Sequence, residues 1–448
     1  MGVFIAVCCI VGAMGGVSAV EPKVEVEEVV TRYLPANNGA GPLWCYGSTV
    51  IGRIGEEVFL SVIETGKDVP LLCNTRWQLW QRPDKGPWKL VRQEEDYRQR
   101  EPCPIGVFPE GKVFLSVNPS TQPPGTKYGP CRPLVLEFDA KNPAGAFAQQ
   151  EPAWASGTKF TDHSYRGFSA DGKNGELLLL NIHSESGDQF VSYRTRQGQW
   201  QARGSIHFPI RSCYPQVLLK DKAAFVMAIG DIIEPNEEWK KLKFEKTKNS
   251  WDYVFRRLYF TWTPDIEKTA FCEPIEIDSV EKTAGHITNL DIAVDASGAV
   301  QVLYLRQPHQ NDFIRDKYFP GEKMTVTLEV LTIRVGKVVG KWTAAQRTDK
   351  GEGLRPSYGR FHTDGAGKLW IVAAGWMQKE DKDSFGNFLL ACDGQQSRTI
   401  QMIPLAHPFQ YFFTATTRGG SRPSDTVDLF GIADDDPNLR YARIKLAR

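Results

Sequence analysis

SYRGFSADGKNGELLLL, residues 164–180, and SYGRFHTDGAGKLWIV, residues 357–372, are two copies of one pattern, and this pattern decides the fold. Both copies begin with Ser-Tyr, reach an Asp-Gly pair without a gap, and end in an apolar run. Each copy therefore predicts a strand, a tight turn and a second strand that is buried on both faces.

The same frame accepts further segments of the chain. They are CYGSTVIGRIGEEVFLSV from Cys45, CPIGVFPEGKVFLSV from Cys103, CYPQVLLKDKAAFVMAIG from Cys213 and TNLDIAVDASGAVQVLYL from Thr288. Most copies are followed by an aromatic-rich third strand, such as RLYFTWT, and often by a fourth. Copies start about 45 to 75 residues apart, which is typical of propeller blades with inserted loops rather than of a helical solenoid.

The fold class predicted from this repeat is all-β, a seven-bladed β-propeller in one domain over residues 20–448. Residues Gln410–Arg448 supply a degenerate seventh unit, and the strand Val24–Tyr33 is expected to complete its sheet and close the ring without an exposed edge. Six blades with a separate flap is the alternative. The charged stretch Glu234–Lys248 predicts a surface loop or a short solvated helix inserted in the fourth blade.

The composition excludes several classes of partner. Over 448 residues the charges nearly cancel, at a formal net charge of +1, so neither nucleic acid nor a polybasic contact with a membrane is expected. The 40 glycines and 28 prolines are spread along the chain, which favours many short strands joined by turns.

The first residues predict export. Met1–Ala19 is a short apolar stretch that ends in Val17-Ser18-Ala19, a small-residue cleavage pattern. We interpret it as a signal peptide, although it lacks a Lys or Arg near its start, and expect a secreted or periplasmic protein without stable membrane insertion after cleavage. A short membrane anchor is the alternative.

The cysteines permit two predicted disulfides. Of the nine cysteines, Cys8 and Cys9 leave with the signal peptide, so the mature chain holds an odd number and at least one free thiol. Cys45 with Cys73 and Cys103 with Cys131 would each lie within one repeat unit. Packed core cysteines are the alternative, and neither spacing resembles a zinc site.

Residues far apart in the chain should converge on one rim of the propeller, where the inner strands begin and the loops between second and third strands open. The residues just before or at the start of the inner strands are His163, Tyr165, Arg166, Arg211, Tyr214, His286, Asn289, Asp291, Arg355 and Tyr358. The loops on the same rim contribute His183, Asp231, Glu234, Arg306, His309 and Trp376. Guanidinium groups that pair with carboxylate or sulfate, beside aromatic faces that stack on sugar rings, suit an anionic carbohydrate.

A structural interpretation of these residues stands beside the functional one. A tyrosine repeated at one position of several blades is typical of inner-ring packing, and an arginine in a propeller channel can satisfy backbone carbonyls. The functional interpretation rests on convergence at one rim rather than on any single residue.

The blade pattern resembles that of sialidase-like or BNR-repeat propellers, and in detail that of exported propeller proteins of planctomycete-type bacteria. The Asp box of that family is not intact, and Ser169-Ala170-Asp171-Gly172 is its nearest approach. The resemblance implies an arginine triad, for which Arg211, Arg355 and Arg418 are the candidates, but no tyrosine and glutamate pair completes a sialidase site.

A partial resemblance to propeller polysaccharide lyases implies other roles. Those rims use His and Tyr for proton transfer beside an Arg that neutralises a uronate, so His163, His183, Tyr193 and Arg211 would take these roles, with Tyr214 as a further candidate.

The sequence therefore predicts an exported propeller that binds an acidic carbohydrate or polysaccharide on one rim, with cleavage by a lyase or hydrolase reaction left open. The alternative is a non-catalytic propeller that recognises a protein or glycan at the cell surface. The sequence predicts no cofactor and no metal site, and we expect a monomer.

Overall fold

Seven four-stranded antiparallel sheets form the protein in a computed structural model. The structure describes residues 20–447, apart from positions 45, 124, 127–128, 184–185, 350, 380–381, 395–399 and 434–436. The predicted signal peptide at residues 1–19, and Cys45 with its predicted bond to Cys73, lie outside the described residues.

The strands are numbered in chain order. The first is β1 (Glu21–Arg32), and blade one follows with β2 (Ile51–Ile54), β3 (Glu57–Thr65), β4 (Thr75–Arg82) and β5 (Lys89–Gln93). Then come β6 (Ile105–Phe108), β7 (Lys112–Val117), β8 (Pro130–Cys131), β9 (Leu134–Asp139), β10 (Ala148–Gln150) and β11 (Phe160–Thr161). Of these, β6, β7, β9 and β10 make blade two, while β8 and β11 form a separate ribbon.

Blades three and four continue the pattern. Blade three holds β12 (Gly167–Asp171), β13 (Glu176–Ile182), β14 (Gln189–Arg194) and β15 (Trp200–Ile206). The next elements are β16 (Ser212–Lys220), β17 (Ala223–Gly230), β18 (Ile232–Ile233), α1 (Glu237–Thr247), β19 (Tyr253–Val254), β20 (Arg257–Thr263) and β21 (Ile275–Ser279). Here β16, β17, β20 and β21 make blade four, and β18 pairs with β19 in the insertion that carries the predicted helix α1.

The last three blades complete the circle. A 3₁₀ turn, Glu281–Thr283, precedes blade five, which comprises β22 (His286–Val294), β23 (Val300–Gln307), β24 (Thr325–Arg334) and β25 (Lys337–Thr348), with α2 (Asp312–Tyr318) in a loop. Blade six comprises β26 (Gly353–Thr363), β27 (Leu369–Lys379), β28 (Lys382–Ala391) and β29 (Ile400–Ile403). Blade seven comprises β30 (Phe409–Thr414), β31 (Thr426–Ala433), β32 (Asn438–Ala447) and β1.

The inner strands β2, β6, β12, β16, β22, β26 and β30 contact one another in that order, and β30 returns to β2. β1 pairs antiparallel with β32, from Glu21 opposite Ala447 to Arg32 opposite Asn438. The seven-bladed prediction and the closure by the N-terminal strand are therefore confirmed. None of the helices in the described part of the chain could cross a bilayer.

Burial between neighbouring blades explains the apolar second strand of the repeat. Every residue of β13 is buried, including the run Leu177–Leu180, because one sheet packs on each of its faces. The Asp of the repeated turn satisfies backbone donors. The Oδ1 atom of Asp364 accepts from the N–H groups of Ala366 and Lys368, both at 2.9 Å, and its Oδ2 atom accepts from Trp370 Nε1 at 3.0 Å.

The predicted disulfide between Cys103 and Cys131 is wrong, because both are free thiols. Cys103 is fully buried in the core of blade two, and the thiol of Cys131 donates to the carbonyl of Thr161 at 2.7 Å. Burial raises the pKa of the Cys103 thiol to about 12, so this thiol stays protonated. Both cysteines are therefore packed core residues, which was the alternative prediction.

A loop from blade seven fills the central channel. Residues 415–425, which we call the plug, connect β30 to β31 and enter from the rim opposite to the predicted site. The Arg418 carbonyl accepts from Ala170 N, and the Gly419 carbonyl accepts from Val107 N, both at 2.8 Å. The plug thus adds backbone hydrogen bonds to the inner strands of blades two and three.

A buried ion pair joins blade one to blade seven where the ring closes. Arg53 donates from Nε and Nη2 to both carboxylate oxygens of Asp428, at 2.6 and 2.9 Å. The side chains are 6% and 0% exposed. Because the Asp428 carboxylate is removed from water, it depends on these two bonds and on the Tyr441 hydroxyl, which donates to it at 2.5 Å.

We expect Arg53→Met to lower the free energy of unfolding by about 3 kcal/mol, because it leaves the Asp428 carboxylate buried without this partner. Arg132→Met is the matched control, since Arg132 and Glu151 form an exposed pair that contributes at most about 1 kcal/mol. Urea unfolding of the three proteins measures both values. Equal losses for the two variants would contradict the role assigned to Arg53.

Candidate functional site

The rim on which the inner strands begin is crossed by a segment that leads into blade one. We call residues 41–49, apart from the undescribed position 45, the strap. The Tyr46 carbonyl accepts from Arg360 Nη2 at 2.6 Å, and the Gly47 carbonyl accepts from Arg418 Nη1 at 2.8 Å. A Cβ atom on Gly47 would lie 2.3 Å from the Pro215 carbonyl oxygen, so only glycine fits this crossing. The strap lies over the channel and divides the rim into two halves.

One half holds five of the predicted residues together, and we call them the histidine–tyrosine cluster: His163, Tyr165, Arg211, Tyr214 and Asp231. The Tyr165 ring lies 4.3 Å from that of His163 and 4.8 Å from that of Tyr214, both edge-to-face. The Arg211 guanidinium lies 5.5 Å from the Tyr165 ring centre. Trp44 of the strap packs against three of these rings, at 5.0 to 5.8 Å.

The two tyrosines of the cluster have a left-handed backbone. Their φ angles are 40° at Tyr165 and 51° at Tyr214, a conformation that costs energy for a bulky residue. Tyr214 also lies in a bulge of β16, where the register shifts between Cys213 and Gln216. The bulge turns the chain so that the Tyr214 ring faces the rim, where it stacks on Tyr46 at 4.8 Å. Strained, bulged positions of this kind are typical of binding sites.

Arg211 is held in place by Asp231. Its Nη1 atom donates to the Asp231 carboxylate and, at 3.2 Å, to the Asp231 carbonyl. The Asp231 side chain is 4% exposed, whereas that of Arg211 is 29% exposed, so the guanidinium keeps an edge that a ligand can reach. Burial raises the pKa of the Tyr165 phenol, and Arg211 offsets only part of that effect. The phenol therefore remains protonated at neutral pH.

His163 is a neutral donor. Its Nδ1 atom lies 2.5 Å from Arg100 Nη1, and because a guanidinium can only donate, Nδ1 accepts and the ring proton is on Nε2. Burial, Arg100 and Arg211 lower the pKa of His163 from 6.5 to about 3. At neutral pH the cluster thus presents an arginine charge beside an uncharged imidazole N–H.

The other half of the rim is a cavity of about 560 Å³. We call it the aromatic cleft, and its walls include Tyr46, His286, Arg355, Tyr358 and Trp376. The Arg355 guanidinium lies 5.8 Å from the Trp376 ring, and the Trp376 side chain is exposed. Burial and Arg256 lower the pKa of His286 to about 4. The buried Nδ1 atom of His286 has no hydrogen-bond partner among the described residues.

Asn289 joins the two halves behind the strap. Its Oδ1 atom accepts from the Tyr46 hydroxyl at 3.1 Å, and its Nδ2 atom donates to the Tyr214 carbonyl at 2.8 Å. Asn289 is fully buried, so it positions Tyr46 and Tyr214 rather than facing a ligand.

His183 lies on the β13–β14 loop of the same rim, half-buried beside Phe190 at 6.0 Å. That loop passes the cluster, since a Cβ atom on Gly187 would lie 3.3 Å from Arg211 Cγ. His183 is therefore near the histidine–tyrosine cluster, although no described contact joins it to the five members.

The structure places other predicted ligand contacts inside the channel. Arg166, 1% exposed, donates to the carbonyls of Ser116 and Pro102 at 2.7 and 2.8 Å. Arg418, 2% exposed, pairs with Asp291 at 2.8 Å. Arg166, Arg418 and Asp291 therefore make structural bonds inside the channel, which the plug fills and the strap covers.

Other predicted residues lie away from both halves of the site. Tyr193 belongs to the far end of β14, at the opposite rim, where it is buried and its hydroxyl lies 3.5 Å from Glu267. Arg306 pairs with Asp278 of blade four at 3.3 Å. His309 is 2% exposed and bonds the Thr283 carbonyl at 3.0 Å. Glu234 is buried against Arg256.

Trp44, Tyr46 and Phe255 line the site and were not predicted from the sequence. Tyr46 stands at the repeated Cys-Tyr position of the first copy, as Tyr214 does in a later one. The repeat alone could therefore have predicted that Tyr46 lies on this rim. Trp44 and Phe255 lie in irregular segments outside the repeat frame, and no pattern points to them. In the described residues no group of three or more His, Cys, Asp and Glu side chains is arranged to hold a metal ion.

Solved structures with a similar fold include polysaccharide lyases. The polysaccharide lyase Uly1 matches with a TM-score of 0.53 and 12% identity, over 95% of this chain and 100% of that one. A PL25 ulvan lyase matches with a TM-score of 0.50 and 10% identity over 95% of each chain. Its complex with -[GlcA(1-4)Rha3S]- matches with a TM-score of 0.50, at 9% identity over 95% of each chain. These matches show a shared fold.

No protein-family model matches the chain, and no curated protein matches it in sequence. The resemblance to sialidase-like and BNR-repeat propellers thus remains an interpretation of the blade pattern.

The low pKa of His163 predicts a loss of stability in mild acid. The unfolded chain binds a proton near pH 6.5, whereas the folded chain stays neutral until about pH 3. The unfolded state therefore binds more protons between these values, and the free energy of unfolding falls as the pH drops through this window. We expect His163→Asn, which retains an acceptor for Arg100, to make this fall shallower.

Urea midpoints measured between pH 7 and pH 4.5 test this expectation. His286 is present in both proteins and leaves a residual slope in the variant. An unchanged slope in His163→Asn would show that His163 is protonated in the folded protein.

Proposed function

We propose that this protein binds an acidic polysaccharide across the strapped rim, with a negatively charged sugar at the histidine–tyrosine cluster. The observation that carries the proposal is the guanidinium of Arg211, fixed by Asp231 on one side and accessible on the other. Guanidinium pairs with carboxylate and sulfate through two parallel hydrogen bonds. The neutral Nε2–H of His163 adds a donor that carries no charge of its own.

The aromatic cleft supports the same ligand class. Pockets of about 300 to 1,000 Å³ are typical of sites for small molecules, and this cleft falls within that range. The exposed Trp376 offers a flat ring to the apolar face of a sugar, while Arg355 can pair with a second acidic group. Because Tyr46 lines this cleft and also stacks on Tyr214, one chain crossing the strap would meet both halves.

The shared fold supports this proposal. The ulvan lyase complex holds a glucuronate and sulfated rhamnose fragment, which is an acidic glycan. The proposal includes export through the apolar segment at residues 1–19, since a secreted protein meets extracellular polysaccharide.

We expect Arg211→Lys to weaken binding of a glucuronate and rhamnose-3-sulfate polymer by about tenfold, or about 1.4 kcal/mol. Lysine keeps a positive charge beside Asp231 but cannot form two parallel hydrogen bonds. Isothermal titration with the polymer measures the change, and Arg196→Lys, at an exposed position on the opposite rim, is the control. Equal affinity of the unmodified protein and both variants would show that Arg211 does not pair with the polymer.

Cleavage by β-elimination is a second candidate function, favoured by the protonated phenol of Tyr165 beside Arg211. In this reaction the carboxylate of a uronate is neutralised, the proton on C5 is removed, and the C4–O bond breaks to leave a C4=C5 double bond. Tyr165 would give its proton to the leaving oxygen. The neutral imidazole of His183, or Tyr214 as its phenolate, would receive the C5 proton.

If the protein is a lyase, incubation with the polymer produces new ultraviolet absorbance from unsaturated sugar ends. Tyr165→Phe should lower kcat by at least about 100-fold, the usual contribution of general acid catalysis, and leave polymer binding intact. Tyr193→Phe, at the other rim, should keep full activity. New reducing ends without absorbance would indicate a hydrolase instead, and binding without any product a non-catalytic module.

A further inference from the structure

The insertion of blade four, residues 231–256, stands on the rim beside Arg211 as a fixed wall. Buried charges anchor it: Arg256 donates to both carboxylate oxygens of Glu234, at 2.9 and 2.5 Å, and Lys243 Nζ lies 2.8 Å from the same carboxylate. The Glu234 and Arg256 side chains are 0% and 1% exposed. The Arg256 guanidinium also covers the Trp239 ring of α1, at 5.1 Å.

Aromatic residues alternate along the outer segment of this wall. Trp251, Tyr253 and Phe255 are separated by Asp252, which pairs with Lys243, and by Val254, which is 2% exposed. Side chains two residues apart share a face of an extended chain. The intervening residues therefore turn into the insertion, while the three rings form a row on its other face.

This aromatic row leads into the site. At its inner end the Phe255 ring lies 6.1 Å from Tyr214 and 5.8 Å from His286, so it touches both halves of the rim. At its outer end the Trp251 ring lies 4.8 Å from the Tyr253 ring, and Trp251 is 72% exposed. Four residue steps of extended chain span about 13 Å.

We infer that the row Trp251–Tyr253–Phe255 is an accessory subsite that stacks on successive sugar rings of the same polysaccharide chain. This inference rests on the proposed function and adds to it that the substrate is a long chain which leaves the rim over blade four. Its occupant is the polysaccharide because Phe255, at the inner end of the row, contacts Tyr214 of the histidine–tyrosine cluster and His286 of the aromatic cleft. Exposed aromatic rings on a rigid wall bind flat apolar faces at little entropic cost.

The subsite is tested by comparing a long polymer with a short fragment. We expect Trp251→Ala to weaken binding of the glucuronate and rhamnose-3-sulfate polymer by about tenfold and to leave binding of its disaccharide unchanged. A disaccharide at the histidine–tyrosine cluster does not reach Trp251. Phe244→Ala, at a ring on α1 that is 50% exposed and off the row, is the matched control and should change neither affinity. Thermal unfolding of each variant verifies that the fold is retained.

The outcomes separate this inference from the proposed function. If the unmodified protein binds the polymer and Trp251→Ala binds it equally well, the subsite is refuted while the rim site stands. If Trp251→Ala weakens the disaccharide as much as the polymer, Trp251 acts on the rim site and not as an outer subsite. If the unmodified protein binds no acidic polysaccharide from a panel of uronate and sulfated polymers, both proposals fail together.

Discussion

One buried positive charge organises the centre of the molecule. The guanidinium of Arg418 donates to the Asp291 carboxylate, the Gly47 carbonyl and the Gln216 side-chain oxygen, at 2.8 to 3.0 Å. A cation removed from water in this way costs several kcal/mol unless its donors are paired. Plug, strap and blades four and five must therefore keep their relative positions. A second arginine, Arg360, holds the Tyr46 carbonyl in the same manner.

This constraint determines what kind of site the rim can offer. Since the plug and the strap fill the channel beneath this rim, a ligand on this rim would bind above the strap, and the strap itself supplies side chains to the two halves. It separates the histidine–tyrosine cluster, with its Arg211–Asp231 pair, from the aromatic cleft, where Arg355 lies beside the exposed ring of Trp376. Under the proposed function, an unsymmetrical site of this type would distinguish the two directions of a polysaccharide chain, because the sugars would meet different chemistry on the two sides of Tyr46.

The fold was predictable because its signal is repeated. Six copies of a strand, turn and strand pattern indicate blades, and the degenerate copy at the C-terminus together with the N-terminal strand completes the circle. Local chemistry supports the pattern, as when Asp364 caps the turn that it marks in the sequence. The prediction of a disulfide between Cys103 and Cys131 was wrong, because sequence spacing does not record the direction in which a thiol points.

The site was predictable only in part. Blade geometry correctly brings His163, Arg211 and Tyr214 to one rim, since each lies at the start of an inner strand. The same argument could not separate residues that face the rim from those that face the axis, and Arg166 and Asp291 belong to the latter. Arg418 was a candidate only through the arginine triad that the sialidase resemblance implies, and it lies buried in the plug. Tyr193 lies at the other rim, because β14 runs from the predicted rim to the opposite one and Tyr193 is near its end. The strap could not be foreseen, as its course depends on contacts with arginines hundreds of residues away.

The bond between Arg418 and Gly47 spans 371 positions of the chain, and this separation bears on how the protein matures. A ribosome releases the strap early and the plug almost last. The rings of Trp44 and Tyr46 pack on residues of blades three and four, which are made earlier, whereas Gly47 gains its bond to Arg418 only after the plug has been made. A chain truncated before residue 418 would thus lack the bond that fixes Gly47 over the channel, so a deletion near the C-terminus would loosen a segment close to the N-terminus.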